Sequence, residues 1–330
     1  MRFGARSLRD SAELNSTMEA AMTVTSALQD SAVEHLILPP VRDLGDGFKV
    51  RRALPSAQRR TVGPFIFLDH FGPVVFREGA GLNVRPHPHI GLSTLTYLLE
   101  GEMVHRDSIG SVETVRPGDV NWMTAGSGIV HSERSPAKLQ AQGGTMFGQQ
   151  IWVALPKALE EMQPGFSNHA NGTLPRLQAD GASLTVVAGS AFGERSPVPV
   201  YSDLMYVDAV LQPGARLQVP TDHIERAVFV VSGEIEVAGQ TGTFGEAQFV
   251  VFKPGAEIIV STRGGAHLML VGGEPFPEQR HVYWNFVSSS KDRIEQAKDD
   301  WRQGRFPEVA GETEFIPLPP EPTQVESAGS

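Results

Sequence analysis

Glycine and proline break this chain at short intervals, and the apolar segments between them are mostly too short for helices. There are 34 Gly and 24 Pro in 330 residues, placed between apolar runs of roughly four to eight residues, the signature of short strands joined by tight turns. The first series of runs is Phe65–Leu68, Leu92–Leu99, Ser111–Val115, Val120–Met123, Ile129–His131 and Gln149–Leu155. A second series begins near Leu184 and continues through Leu204–Leu211, Ala227–Val231, Glu234–Val237, Ala247–Phe252, Glu257–Thr262 and His267–Val271. Both halves use the same punctuation. Tyr97-Leu-Leu-Glu-Gly101 and Arg116-Pro-Gly118 in the first correspond to Val230-Val-Ser-Gly233 and Lys253-Pro-Gly255 in the second. The expectation is a duplicated all-β barrel.

Helices are few. Pro156–Met162 reads as a short helix with proline in its first turn. Residues 290–303 read as an amphipathic helix with Ser289 and Asp292 as a capping box, Ile294, Ala297 and Trp301 on one face, and Gly304 as its stop. This helix is expected to seal a barrel. The domain limits that follow are a disordered extension over 1–35, a metal-binding barrel over 36–165, a second barrel without metal over 166–315, and a disordered Pro-, Glu- and Ser-rich tail over 316–330.

Composition narrows the chemistry. The chain has no cysteine, which removes disulfides, thiolate nucleophiles and Cys-ligated metal sites. Any metal must be held by imidazole and carboxylate. A net charge of −10 disfavours contact with phosphate backbones, so no direct nucleic-acid partner is expected. No apolar run approaches the roughly 20 residues of a membrane span. Arg2, Arg6 and Arg9 are followed by Asp10, Glu13 and Glu19 rather than by an apolar stretch, so the start does not read as a secretory signal. It is read as an extension, or as a start placed upstream of Met18 or Met22, and the protein is expected in the cytoplasm.

The informative stretch is Arg85-Pro-His-Pro-His-Ile-Gly91. On a strand, residues i and i+2 share a face, so His87 and His89 project side by side, roughly 6–7 Å apart at the backbone. Pro86 and Pro88 hold Arg85 and His87 extended. A second pair, His131 and Glu133 in Ile129-Val-His-Ser-Glu133, repeats the spacing. A single His-x-His is more often surface or packing than ligand; with the second pair, after a Pro-Gly turn in the same half, a metal site stands beside packing as a reading of the spacing. Three imidazoles and one carboxylate suit a first-row ion and leave open positions, as in mononuclear non-haem iron sites.

Long ordered motifs then carry a resemblance. Phe67-Leu-Asp-His-Phe-Gly-Pro73, Pro86-His-Pro-His-Ile-Gly91, His105-Arg-Asp-Ser108, Pro117-Gly-Asp-Val120, Trp122-Met-Thr-Ala-Gly-Ser-Gly-Ile-Val-His-Ser-Glu133 and Gln150-Ile-Trp-Val-Ala-Leu-Pro156 resemble the pirin family of the cupin superfamily. The resemblance extends more loosely to about residue 315. It implies two tandem jelly-roll cupin barrels, the first holding one divalent ion through His87, His89, His131 and Glu133. The ion it implies is iron, Fe(2+), with zinc, nickel, manganese and copper as alternatives. The general cupin pattern has a glutamate shortly after His-x-His where this chain has Ser93-Thr94, so Glu133 is expected to supply the carboxylate. The activity implied is a quercetin 2,3-dioxygenase type of cleavage, with a flavonol-like aromatic substrate, dioxygen, and Glu133 as the base that accepts the substrate's hydroxyl proton. The rival reading is an iron-dependent redox sensor that binds a protein partner. A closed zinc site is a third.

Other candidates are discounted. His70 is read as a structural hydrogen-bonding residue near a strand end, and His105 as a turn or rim residue, with support of a ligand from behind as the lesser alternative. His223, Glu225 and His267 mimic a degenerate ligand set in the second barrel but lack the stiffening prolines and a His-x-Glu partner. Tyr97, Trp122 and Met123 are read as core, with strand parity leaving open which of them faces the cavity.

Overall fold

Residues 31–43 and 48–320 are described by the computed structural model, and their regular structure is overwhelmingly antiparallel β-sheet. The first barrel pairs two sheets. One has seven strands, in the order Gly165–His169, Val120–Thr124, Leu92–Glu100, Gly144–Ala154, Phe65–Phe76, Lys49–Leu54 and Val41–Asp43. The other has four, in the order Asn83–His89, Ile129–Arg134, Met103–Asp107 and Val112–Val115. The second barrel is built from an eleven-stranded sheet whose central path includes Phe249–Phe252, Glu225–Val237, Ala266–Gly273, Leu204–Leu211 and Ala182–Ala191. The duplicated all-β reading is what the chain folds into: two cupin barrels and a short C-terminal helix.

The barrels meet through large buried side chains. Leu68, Tyr97, Trp122 and Ile151 from the first share one apolar cluster with Tyr206, Phe229, Phe249 and Met269 from the second. Polar atoms stranded in this interface pair across it. The Tyr97 hydroxyl donates to Asp208 Oδ2 at 2.8 Å and the Tyr206 hydroxyl to Gln149 Oε1 at 2.6 Å. Buried hydroxyls need such partners to avoid a desolvation loss.

Several boundaries differ from expectation. Val33–Ile37 is a strand, not part of a disordered extension, and it pairs with Phe249–Phe252 of the second barrel. A five-residue edge segment carries too little periodicity to announce itself, and its partner lies more than 200 residues away. Of the tail expected to be disordered over 316–330, residues 316–320 are described and Ile316 is hydrogen-bonded to Pro86 and Trp301; residues 1–30 and 321–330, where disorder was also expected, lie outside the described residues. The helix expected over Pro156–Met162 is a single 3₁₀ turn, Lys157–Leu159. A short helix, Ala137–Gln142, was not expected.

The C-terminal helix runs Lys291–Arg302, and its N-cap is Ser290, whose side chain accepts from the Arg293 amide. Ser289 is unavailable for capping because its amide and hydroxyl both donate to the buried Glu160 carboxylate. The helix buries Ile294 and Ala297 against Phe286 and Ile90. It therefore seats on the first barrel beside the His87/His89 strand, together with the hairpin His281–Tyr283/Phe286–Ser288. Gly91 makes this seat achievable. Its φ is +68°, and a Cβ there would fall 1.9 Å from the Val287 carbonyl oxygen.

Candidate metal centre

Two neighbouring strands of the four-stranded sheet carry the candidate ligands. Asn83–His89 and Ile129–Arg134 run antiparallel, with His131 opposite His87 and Ile129 opposite His89. Alternation then turns all three imidazoles to one face. Their ring centroids lie 4.4 Å (His87–His131), 5.0 Å (His87–His89) and 5.0 Å (His89–His131) apart. One nitrogen from each comes within 4.8 Å of the others. Among the described residues no other group of three or more His, Cys, Asp or Glu side chains converges in this way.

Between His131 and Glu133 the register slips. Glu133 lies opposite Val84, so two steps on its strand span three on the other, at Arg85-Pro86. Proline has no N–H for the ladder, and a bulge is where a sheet tolerates it. Glu133 borders the same cavity as His87 and His89, but its carboxylate stands 4.0 Å from His131 Nδ1 and outside the tight trio. The three histidines are thus brought together as expected, with Glu133 adjacent rather than converged.

The electrostatics suit a cation. Burial keeps all three imidazoles neutral, holding His87 down to about 4 and His89 and His131 well below the usual range. Burial pushes the Glu133 carboxyl up to about 7. His87 Nδ1 hydrogen-bonds with the Arg85 carbonyl at 2.9 Å, which leaves Nε2 free. His89 Nδ1 and His131 Nε2 are buried with no hydrogen-bond partner. Leaving one such atom unsatisfied costs about 1–3 kcal/mol. Two of them in one imidazole cluster fit a metal, which would use those lone pairs.

The cluster opens into a cavity of about 670 Å³, within the range of roughly 300–1,000 Å³ typical of small-molecule sites. One wall is a ladder of flat groups. Trp152 lies opposite Phe67 in the sheet and stacks on it at 4.0 Å and 13°. The Arg52 guanidinium covers the other face of Phe67 at 4.3 Å and is held by Asp69 through two bonds of 2.7 and 2.9 Å. Trp152 also meets the His89 ring edge-on. Trp284 and Asn285, from the hairpin far along the chain, complete the lining.

The discounted residues separate cleanly, with two corrections. His70 lies inside strand Phe65–Phe76 rather than near its end. It faces Phe229 of the second barrel and is 3.4 Å from Gln149 Nε2. His223, Glu225 and His267 go to different partners: the Ser190 carbonyl, Arg59 with the Gly63 amide, and Asp208. Tyr97, Trp122 and Met123 are core. His105 is not a rim residue. It is buried, 3.3 Å from His131 Nδ1 and 2.9 Å from Asp107 Oδ2. A strand's sequence does not say which of its faces is inside, so the motif alone could not place it. Phe67 and Trp152 stood in the quoted motifs without a role; for Trp284 and Asn285 the sequence held no local signal.

The strands are clamped from outside by the C-terminal segment. Glu312 accepts from Ser132 Oγ at 2.8 Å and from Arg134 at 2.5 and 3.0 Å. No helix among the described residues is long and apolar enough to cross a membrane.

Comparison with known proteins agrees with this architecture. The Pirin family matches residues 47–153, and the Pirin C-terminal cupin domain matches residues 206–307. A pirin-like protein of Caulobacter vibrioides is 51% identical over 283 residues, covering 84% of this chain and 96% of that protein. A Pseudomonas aeruginosa protein provisionally named a quercetin 2,3-dioxygenase is 38% identical, covering 89% of this chain and 93% of its own. The crystal structure of a quercetin 2,3-dioxygenase from Acinetobacter baumannii superposes with a TM-score of 0.81 at 35% identity, covering 88% of this chain and 96% of that one. With both cupin domains matched in order and a relative aligned along most of its length, this chain belongs to the pirin family.

Proposed function

We propose that this protein is a metal-dependent dioxygenase that cleaves a flavonol-like substrate, with His87, His89, His131 and Glu133 holding one iron ion. The observation that carries the reading is the trio of neutral, buried imidazoles, two of them with a nitrogen that has no partner, of which His87 and His89 line a large aromatic-walled cavity. The similarity to proteins named as quercetin 2,3-dioxygenases supports it.

Bound there, iron would supply Lewis acidity and reactivity toward dioxygen. The protein's own contributions follow from the site. Neutral histidines offer lone pairs without first losing protons. The Phe67–Trp152 wall gives a flat ring a surface to lie against. Burial raises the Glu133 carboxyl to about 7 in the metal-free site; beside a bound cation it would be an ionised carboxylate, placed to take a hydroxyl proton. A flat substrate filling the cavity would displace bulk water from the reacting atoms.

Oxygen uptake with quercetin, measured on iron-loaded protein before and after chelation, tests the proposal. Uptake that requires both quercetin and iron is expected. No turnover by the iron-loaded protein would remove the enzymatic reading.

A further inference from the structure

We propose that His105 and Asp107 act as a positioning pair that fixes the tautomer and orientation of His131 from behind the metal centre. The inference rests on the reading that the imidazole cluster holds an ion, and it adds residues that the ligand set does not contain.

The pair sits on strand Met103–Asp107, which flanks the His131 strand on the side away from His87, with Asp107 opposite His131 and His105 opposite Glu133. Asp107 is fixed first. Its Oδ1 accepts the Ile109 amide at 3.1 Å and the Ser111 amide at 2.9 Å, so Oδ2 is turned to His105 Nε2 at 2.9 Å. His105 is fixed next. Its ring lies on Phe166 at 4.4 Å and 16°, and its other nitrogen, Nδ1, is 3.3 Å from His131 Nδ1.

With His105 neutral, proton counting along this row leaves one arrangement. An ionised carboxylate only accepts, so the His105 proton is on Nε2. His105 Nδ1 is then a lone pair and accepts from His131 Nδ1–H. With its proton on Nδ1, neutral His131 has its lone pair on Nε2, the atom that is buried without a partner. The carboxylate therefore selects, two imidazoles away, the nitrogen that faces the ion. Such outer partners also raise the basicity of the ligating ring, and losing one typically weakens metal binding about 10–100-fold.

The test uses the full chain and ferrous iron under anaerobic conditions, with affinity measured by competition against a chelator and the thermal midpoint measured on metal-free protein. Asp107→Asn can keep both amide bonds only by turning its NH₂ toward His105 Nε2. That drives the His105 proton to Nδ1, where it confronts the proton of His131. A 10–100-fold weaker affinity is expected with the metal-free midpoint unchanged. His105→Phe should lose as much, whereas His105→Gln, whose carbonyl can accept from His131, should recover part. Iron affinity in Asp107→Asn and His105→Phe equal to wild type would overturn the pairing and leave the metal site standing. A fall in the metal-free midpoint that accounts for the whole affinity loss would also overturn it, since the pair would then only hold the strand. Failure of the wild type itself to take up iron would instead remove the metal reading, and this inference with it.

Discussion

The Ile316 amide donates to the Pro86 carbonyl at 2.8 Å, so the end of the described chain is fastened to the strand that carries His87 and His89. Four residues earlier, Glu312 grips Ser132 and Arg134 on the strand of His131 and Glu133. One segment thus ties both ligand strands. Glu312→Ala removes a largely buried carboxylate from charge-assisted bonds, and a loss of about 1–3 kcal/mol in unfolding free energy is expected. Metal should also be lost faster to a chelator. Denaturation curves and release rates equal to wild type would show that the clasp is idle.

Gly91 is a close approach between the ligand strand and the C-terminal hairpin. Alanine there meets both an unfavourable positive φ, worth roughly 1–2 kcal/mol, and the Val287 carbonyl. Gly91→Ala should destabilise the protein by more than about 2 kcal/mol in chemical denaturation. A change within about 0.5 kcal/mol, the usual span of surface substitutions, would contradict the packing described here.

Metal uptake should depend on pH through Glu133. The histidines are neutral well below neutrality, with His87 at about 4, whereas Glu133 titrates at about 7. Between about pH 5 and 7 an incoming ion must displace one proton, from Glu133, so affinity should rise about tenfold per pH unit and level off above 7. Glu133→Gln should flatten this slope. A slope that persists in the variant would assign the proton elsewhere.

Trp152 lies between Phe67 and His89, so it serves both the cavity wall and the ligand. Trp152→Ala should lower kcat/KM for an aromatic substrate by about tenfold, the scale of one lost aromatic contact, while Trp152→Phe retains most of it. Equal losses for an aliphatic substrate of similar size would argue against ring recognition.

Most of the site could be read in the sequence because strand geometry is simple. His87 with His89, and His131 with Glu133, announce their shared faces by spacing alone. The slip at Arg85-Pro86 could not be read, since a bulge depends on how two strands meet. Glu133 lies past that slip and stands beside the trio rather than in it. His105 was misplaced because nothing local tells the inner face of Met103–Asp107 from the outer. Trp284 and Asn285 reach the cavity through a tertiary return of the chain, as does Val33–Ile37 to the second barrel. Short segments with distant partners carry almost no periodic signal.

The central claim is that three imidazoles on two strands, with Glu133 beside them, hold a single ion. Elemental analysis of wild type and His89→Ala, both purified without chelators and both shown to be folded, tests it most directly. About one equivalent of metal, chiefly iron, in the wild type and a small fraction of that in the variant is the expected result. A folded wild type that carries no metal and takes up none when iron is supplied, or a variant that retains the full equivalent, would contradict it.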